Sequence, residues 1–239
     1  MQFKPKKSLG QNFLIDKNIL KKIVEKGNIS KNDKILEIGP GTGNLTEFIV
    51  KSKPKLIIVI EKDFKLVKSL ESKFKKQIKI INRDILDISE CFYKDDFKVY
   101  GNLPYNISTQ ILAKWIKTDD LNKFCKKLIL MFQKEVADRI ISKVNTKNYG
   151  RLSILSNWKL DVKKIIDIKP DSFYPKPKVN SSLLFFSPKK QFHKINNPKN
   201  LEKITRIFFN HRRKMLKKPF NQLFNGNPEI KDKLKIDLK

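Results

Sequence analysis

A glycine-rich turn, Gly-Pro-Gly-Thr-Gly from Gly39 to Gly43, dictates the kind of fold this chain can adopt. It directly follows a short apolar run, 34–38, and precedes a helix-like segment that begins at Asn44. Glycine reaches backbone conformations that other residues rarely adopt, so a strand can pass into a helix within a few residues and a ligand can approach the backbone closely. The junction predicts one strand-turn-helix unit of an α/β sheet.

Strand and helix signals alternate along the chain. Apolar runs of strand length are separated by segments in which apolar side chains recur at helical spacing, as in 63–76. This alternation is typical of an α/β domain with a mostly parallel sheet. The predicted strands are 34–38, 56–60, 78–81, 97–102, 128–132, 161–168 and 181–187, and the predicted helices are 44–50, 63–76, 108–117, 133–144 and 201–216.

The character of the sequence changes towards its end. The last two predicted strands flank a proline-rich loop, 170–177, which favours an antiparallel pair at the edge of the sheet. Pro188 and the polar stretch after it mark a boundary, beyond which the signals are helical only. We therefore expect a first domain over 1–188, beginning with an N-terminal arm at 1–15, and a small helical domain over 189–239.

The net charge of the chain is +29, from 53 lysines and arginines against 24 aspartates and glutamates. Such an excess implies attraction to a polyanion, and nucleic acid is the first candidate. Only six of the basic residues are arginine and the chain is rich in isoleucine and asparagine, so we attribute part of the lysine excess to genome composition. Clusters at 4–7 and 211–214 are harder to explain in that way.

Other classes of protein fit the composition poorly. The apolar runs are far shorter than the roughly 20 residues that span a bilayer, and no apolar segment follows the basic N-terminus. Cys91 and Cys125 are isolated, and His193 and His211 are the only histidines, which argues against a disulfide framework and against a metal site. We expect a cytoplasmic monomer without a metal and without a membrane partner.

Carboxylates lie at or just after the ends of the first three predicted strands. Glu37 precedes the glycine turn, Glu61 ends the second strand and Asp84 follows the third. The turn alone fits NAD, FAD, S-adenosylmethionine or a tight connection, but its spacing argues against a triphosphate-binding loop. The acids favour a cofactor with a nucleoside, because one carboxylate can accept both ribose hydroxyls and another an adenine amine. Glu37 is suited to a cationic ligand.

A second motif, 99–106, follows another strand-like run with the sequence Val-Tyr-Gly-Asn-Leu-Pro-Tyr-Asn. The Asn102 side chain offers an oxygen that accepts an N–H bond, and Pro104 leaves the Leu103 carbonyl free to accept another. Tyr105 supplies a face for stacking. An ordinary proline turn would explain these residues equally well in isolation. Together with the glycine turn, they favour a site for a flat ring that carries an amino group.

These motifs resemble the ribosomal RNA adenine N6,N6-dimethyltransferase family. The resemblance extends from about Lys6 to about Leu216 and rests on several motifs in the same order. Besides the glycine turn, the acids and the 99–106 motif, the matching segments are 10–14, 133–136, 149–153, 173–179 and 210–214.

The resemblance implies a fold and a reaction. The fold is the Rossmann-like class I methyltransferase fold, a seven-stranded, mostly parallel sheet with a small all-helical C-terminal domain. The reaction is S-adenosylmethionine-dependent dimethylation of two adjacent adenines in the 3′-terminal hairpin loop of 16S rRNA, within a precursor of the 30S subunit during ribosome biogenesis.

The resemblance also implies roles for particular residues. Those implied to bind the cofactor are Asn12, Leu14, Gly39, Gly41, Glu61, Asp84 and Asn102. Those implied at the target adenine are Asn102, Leu103, Pro104, Tyr105 and Phe173, although Phe173 also fits a core position at a strand edge. Arg212, Arg213 and Lys214 are the candidates for RNA contact.

Two other functions compete with this one. An Erm-type enzyme, which methylates 23S rRNA, shares the fold and cofactor, but 149–153 and 210–216 favour the small-subunit enzyme. A non-catalytic RNA-binding assembly factor would show erosion of Asn102, Tyr105 or the acids, and these are intact. Members of the family usually continue for some tens of residues beyond the position of Lys239, so we expect an abbreviated small domain or an incomplete sequence.

Overall fold

The computed structural model describes residues 5–6, 9–89, 92, 96–118, 121–210, 215–235 and 237. The strands are β1 (Phe13–Leu14), β2 (Lys34–Ile38), β3 (Leu56–Glu61), β4 (Lys79–Asn82), β5 (Phe97–Asn102), β6 (Cys125–Gln133), β7 (Leu160–Ile168), β8 (Phe173–Tyr174) and β9 (Ser181–Pro188). The helices are α1 (Lys17–Gly27), α2 (Asn44–Lys51), α3 (Phe64–Phe74), α4 (Ser108–Lys117), α5 (Leu121–Phe124), α6 (Lys134–Ile140), α7 (Arg151–Lys159), α8 (Pro198–Asn210), α9 (Lys217–Phe224) and α10 (Pro228–Leu234).

Seven strands form one sheet in the order β4-β3-β2-β5-β6-β9-β7. The strands from β4 to β6 in this order are all parallel to their neighbours, and β9 is antiparallel to both β6 and β7. The predicted seven-stranded, mostly parallel sheet with an antiparallel edge pair is confirmed. The strand order reverses direction between β2 and β5, which is where open α/β sheets bind ligands.

The sheet is buried on both faces. Along β2, Ile35 packs into one apolar cluster while Leu36 and Ile38 pack into the other, because successive side chains of a strand point to opposite faces. Val99 and Tyr100 divide between the two clusters in the same way on β5. Burial on both faces explains why these strands read as continuous apolar runs in the sequence.

Helices α1 and α7 were not among the predicted elements, and α6 is shorter than predicted. The predicted helix over 133–144 ends at Ile140, and Val144, which extends its apolar pattern, is 64% exposed. An apolar side chain with no core to pack against does not hold another helical turn in place. Within the described ranges, no helix is long and apolar enough to cross a bilayer.

The first C-terminal helix, α8, is attached to the α/β part of the chain. Glu202 of α8 accepts hydrogen bonds from Arg151 of α7 at 2.7 Å and from Lys117 of α4 at 3.1 Å. The Phe209 and Tyr149 rings meet edge-to-face with their centroids 6.0 Å apart. The division of the chain into domains at 188 and 189 stays a prediction.

A buried ion pair lies near the amino ends of β2 and β5. Lys98 Nζ donates to Asp33 Oδ2 at 2.7 Å and to the Asn28 carbonyl at 2.5 Å, and both charged side chains are 8% exposed. We expect Lys98→Met to lower the free energy of unfolding by about 3 kcal/mol, because it leaves a buried carboxylate without its counter-ion. Urea denaturation measures this. The double variant Lys98→Met, Asp33→Asn should recover much of the loss; equal instability of the two variants would contradict this explanation.

Candidate active site

A cleft lies at the carboxyl ends of β2, β3 and β5, beside the N-terminal arm. Its walls are the glycine turn, the segments that follow β3, β4 and β5, and the arm from Leu9 onwards. The structure therefore brings together most of the residues that the sequence suggested. Those that line the cleft are Asn12, Leu14, Gly39, Gly41, Glu61, Asp84, Asn102, Leu103, Pro104 and Tyr105.

The three glycines of the turn have different surroundings. Gly39, Gly41 and Gly43 all have positive φ, at 64°, 58° and 77°. A Cβ on Gly41 would lie 2.6 Å from Phe13 Cδ1, and one on Gly43 would lie 2.5 Å from Phe74 Cε2, so both positions need glycine for packing. A Cβ on Gly39 would meet nothing within 4 Å. The backbone at Gly39 thus borders open cleft space that a ligand can fill.

Glu61 is held in a fixed orientation at the end of β3. Its Oε2 accepts the Gly41 N–H at 3.2 Å and its Oε1 accepts the Asp63 N–H at 2.8 Å. Burial raises the pKa of the Glu61 carboxyl, and these backbone hydrogen bonds oppose the rise. A carboxylate has about four acceptor positions, more than these backbone bonds use, so it can still accept from hydroxyl groups.

Asp84 caps a short 3₁₀ turn, Ile85–Asp87, after β4. Its Oδ1 accepts the Leu86 N–H at 2.9 Å and its Oδ2 accepts from Lys62 Nζ at 2.8 Å. Burial favours the neutral acid, but the lysine and the backbone bond outweigh it, so the pKa of Asp84 lies below its usual value. Asp84 is therefore negatively charged at neutral pH and can accept a hydrogen bond from an amine.

Asn102, the last residue of β5, is oriented by the arm. Its Nδ2 donates to the Asn12 carbonyl at 2.7 Å, and only the nitrogen of the amide can make this bond. Among the described residues, none donates to Asn102 Oδ1. The amide thus presents an acceptor oxygen at the edge of the cleft, beside the buried Leu103.

Tyr105 is anchored at its hydroxyl group. The Tyr105 hydroxyl and Ser181 Oγ lie 2.6 Å apart and share a hydrogen bond. Burial raises the pKa of the Tyr105 phenol, which keeps it neutral at physiological pH. Tyr105 also lines a second, more open recess that adjoins the cleft, together with Gly10, Asn12, Asn106 and Gln133. A flat group that entered this recess would lie beside Asn12, whose carbonyl accepts from Asn102.

One of the sequence-based assignments is not brought to the cleft, and another lies outside the described residues. Phe173 is only 3% exposed, pairs with Leu14 in the β1–β8 bridge and packs in the core. It does not line the cleft, so it can stack on a base only if the residues that bury it move; its role stays a prediction. The RNA-contact candidates Arg212, Arg213 and Lys214 lie outside the described residues.

Glu37 is fully buried beneath the glycine turn. Thr46 Oγ1 donates to its Oε2 at 2.7 Å, yet burial dominates and raises its pKa to about 8. The sequence suggested a negative charge at this position. In this structure Glu37 is instead mostly a neutral acid at pH 7. The free-energy cost of burying its ionised form exceeds the stabilisation that the single hydrogen bond from Thr46 provides.

Glu37→Gln should remove part of the pH dependence of stability. Between the usual pKa of 4.5 and about 8, the folded chain holds a proton on Glu37 that the unfolded chain releases. The free energy of unfolding therefore falls as the pH rises through this window, with a slope of at most about 1.4 kcal/mol per pH unit from this group. Urea denaturation between these pH values should show a shallower slope for Glu37→Gln and an unchanged one for Glu71→Gln, which alters an exposed side chain. Equal slopes for the wild type and Glu37→Gln would contradict the prediction.

Sequence reasoning missed one residue that organises the site. Asp63, the N-cap of α3, accepts from Lys6 Nζ at 2.8 Å and from Gln11 Nε2 at 3.1 Å. Burial raises its pKa, but these arm residues and the Lys65 N–H outweigh that effect and lower it. An aspartate before an apolar helix signals a cap, but its bonds to the arm link residues more than fifty positions apart and leave no local pattern.

Related sequences match this chain over almost its whole length. The model of the family described as "Ribosomal RNA adenine dimethylase" matches residues 2–238. "Ribosomal RNA small subunit methyltransferase A" of Pelagibacter ubique is 62% identical over 239 residues, which are 100% of this chain and 91% of that protein. The protein of the same name from a Wolbachia strain of Drosophila simulans is 41% identical over 237 residues, 98% of this chain and 86% of that protein.

Solved structures show the same fold. A dimethyladenosine transferase from Plasmodium falciparum superposes with a TM-score of 0.77 at 29% identity, over 93% of this chain and 78% of that one. The 23S rRNA methyltransferase ErmE gives a TM-score of 0.69 at 21% identity, over 93% and 87%, a likeness that concerns the fold alone. The sequence match extends across the cleft residues as well as the sheet, and the chain belongs to the ribosomal RNA adenine dimethylase family.

Proposed function

We propose that this protein dimethylates the N6 amines of two adjacent adenines in the 3′-terminal hairpin loop of 16S rRNA during assembly of the small ribosomal subunit. The 62% identity to a small-subunit rRNA methyltransferase supports the substrate and argues against the 23S alternative. The observation that carries the chemistry is the hydrogen bond from Asn102 Nδ2 to the Asn12 carbonyl, which fixes the amide, while no described residue donates to Asn102 Oδ1.

The cofactor assigned to the cleft is S-adenosylmethionine. The test of fit is the glycine turn, where the backbone at Gly39 borders space that any larger side chain would enter. Glu61 is the residue to hold the ribose hydroxyls and Asp84 the adenine amine, while Asn12, Leu14 and Gly41 complete the walls. S-Adenosylmethionine, when bound, supplies the methyl group on a cationic sulfur.

At the target base, the work of the protein is alignment. An adenine amine is a poor nucleophile because its lone pair is delocalised into the ring. Asn102 Oδ1 and the Leu103 carbonyl accept its two N–H groups, which favours a more tetrahedral nitrogen with its lone pair directed away from the ring. These hydrogen bonds strengthen as positive charge develops on the nitrogen, so they stabilise the transition state more than the ground state. No general base is needed before transfer, because the methylated nitrogen becomes positively charged and can release its proton afterwards.

The aromatic contacts would hold the flipped-out base. Tyr105, fixed through Ser181, supplies a stacking face at the recess next to Asn102. Pro104 sets the turn that separates the Leu103 carbonyl from this ring. Phe173 would contribute a second face after a local rearrangement of the arm.

The RNA partner is a 30S precursor, whose unpaired loop bases can be splayed out for reading. A net charge of +29 supports binding to its phosphates, for which Arg212, Arg213 and Lys214 remain the leading residues. We place the activity in the cytoplasm and assign it to a monomer that needs no metal ion.

The test is transfer of radiolabelled methyl from S-adenosylmethionine to undermethylated 30S subunits, with 50S subunits in parallel, followed by nucleoside analysis. N6,N6-Dimethyladenosine at neighbouring adenines of 16S rRNA is the expected product. Label in 23S rRNA alone would assign the protein to the Erm-type enzymes. Binding of RNA and cofactor without any transfer would indicate a non-catalytic assembly factor.

A further inference from the structure

Asp63 joins the described part of the N-terminal arm to the cofactor cleft. It is only 3% exposed, and both of its carboxylate oxygens accept from arm residues, Oδ1 from Lys6 and Oδ2 from Gln11. Oδ1 also accepts the Lys65 N–H, the bond that caps α3. Hydrogen bonds therefore hold the Asp63 side chain in place at the start of α3 and bind the arm residues Lys6 and Gln11 to it.

The same residue contacts Glu61. The backbone N–H of Asp63 donates to Glu61 Oε1 at 2.8 Å, the oxygen opposite the one that the Gly41 N–H contacts. A shift of Asp63 thus changes one of the backbone bonds that orient the carboxylate proposed to hold the ribose. The anchor of the arm and the orientation of Glu61 therefore depend on one residue, the first on its side chain and the second on its backbone N–H.

The arm, which is bonded to Asp63, also restrains Asn102. Immediately after Gln11, the Asn12 carbonyl accepts from Asn102 Nδ2, and two residues later the Leu14 carbonyl accepts from Asn44 Nδ2 at 2.8 Å. Asn12 therefore lies between two fixed points, the Asp63 bonds on one side and the Asn44 bond on the other. Release of Gln11 from Asp63 removes one of the restraints on the position of the Asn12 carbonyl.

We propose that Asp63 is a positioning residue that latches the N-terminal arm across the cleft, and that this latch sets both the affinity for S-adenosylmethionine and the orientation of Asn102. The inference rests on the proposed function. A carboxylate suits this position because it accepts at two oxygens and forms charge-assisted bonds, which are stronger than those of a neutral amide. Asp63 and Lys6 are not among the residues that line the cleft.

The experiment compares Asp63→Asn, Lys6→Met and a control, Lys51→Met. Asparagine caps helices as well as aspartate does, so α3 should survive the first change, and thermal melting checks this. Lys6→Met leaves the cap untouched. Lys51→Met removes a surface pair with Glu47 at 3.0 Å on α2, outside the cleft.

Three quantities are measured: amide hydrogen exchange over 9–14 without ligand, the dissociation constant for S-adenosylmethionine by calorimetry, and kcat at saturating cofactor. We expect Asp63→Asn to speed exchange of the arm and to raise the dissociation constant about tenfold, the effect of losing one charge-assisted hydrogen bond. Its kcat should also fall, because Asn102 is less well oriented. Lys6→Met should change all three in the same direction but less, and Lys51→Met none of them.

Unchanged exchange and unchanged affinity in Lys6→Met and a folded Asp63→Asn would overturn the latch. If Asp63→Asn does not fold, Lys6→Met decides alone, since its side chain is 42% exposed and outside the core. A wild-type protein that binds no S-adenosylmethionine would refute the proposed function instead. The exchange measurement, made without ligand, would still decide whether Asp63 holds the arm.

Discussion

Asn102→Asp should reduce the rate of methyl transfer about 10³-fold, the upper range for loss of one hydrogen bond to a developing charge. Aspartate keeps the size and an acceptor oxygen but has no N–H to donate to the Asn12 carbonyl, which now lies 2.7 Å from Nδ2. Two oxygens at that distance repel, so the side chain must turn away from its present orientation. The effect is measured as the rate of single-turnover methyl transfer to undermethylated 30S subunits, with the protein–cofactor complex in excess over the subunits.

A matched control is available for this substitution. Asn122 Nδ2 also donates to a backbone carbonyl, that of Lys189 at 3.0 Å, but on an exposed surface. Asn122→Asp should leave transfer unchanged. Asn102→Ala, which lacks the acceptor as well as the donor, should be at least as inactive as Asn102→Asp. Near-normal transfer by Asn102→Asp would mean that the orientation of the amide is irrelevant to catalysis.

Glu61→Ala should raise the dissociation constant for S-adenosylmethionine about 100-fold, because two hydrogen bonds to a charged acceptor are lost. The free protein is affected too, since the N–H groups of Gly41 and Asp63 lose their shared partner. Calorimetric titration of the cofactor into the protein measures the change. The rate at saturating cofactor should fall much less than the affinity.

Glu71→Ala is the comparison for this variant, because Glu71 is an exposed glutamate of the neighbouring helix α3. It should bind the cofactor as the wild type does. If Glu61→Ala binds S-adenosylmethionine with wild-type affinity while still folded, Glu61 is a structural residue of the turn and the ribose has another partner.

The cofactor side of the cleft could be predicted from the sequence because its residues follow strands. Glu61 and Asp84 come directly after apolar runs, and parallel strands bring their carboxyl ends to one end of the sheet. The glycine turn can also be predicted from the sequence, because glycine is the residue type that its backbone conformation favours. For such residues, a position just after a predicted strand is enough to predict which end of the sheet they occupy.

The parts that could not be predicted depend on contacts between distant segments. The bridge between β1 and β8 joins residues about 160 positions apart, and it is this pairing that buries Phe173. Helix α7 could not be predicted from the sequence for a different reason. Ser153, Leu155, Ser156 and Lys159 are all buried, so the helix has no single apolar stripe, and its periodicity is not that of an amphipathic surface helix.

The described residues that line the cleft lie at the carboxyl ends of the strands, and the turn that precedes β3 lies at the opposite end of the sheet. The turn 52–55, which leads into the amino end of β3, has an exposed Lys53 and contributes nothing to the cleft. The strand between them has six residues, which spans about 20 Å at 3.3 Å per residue. A fluorescent label or a surface tether attached at position 53 would leave the opening free, so that intact ribosomal subunits could be presented to an immobilised protein.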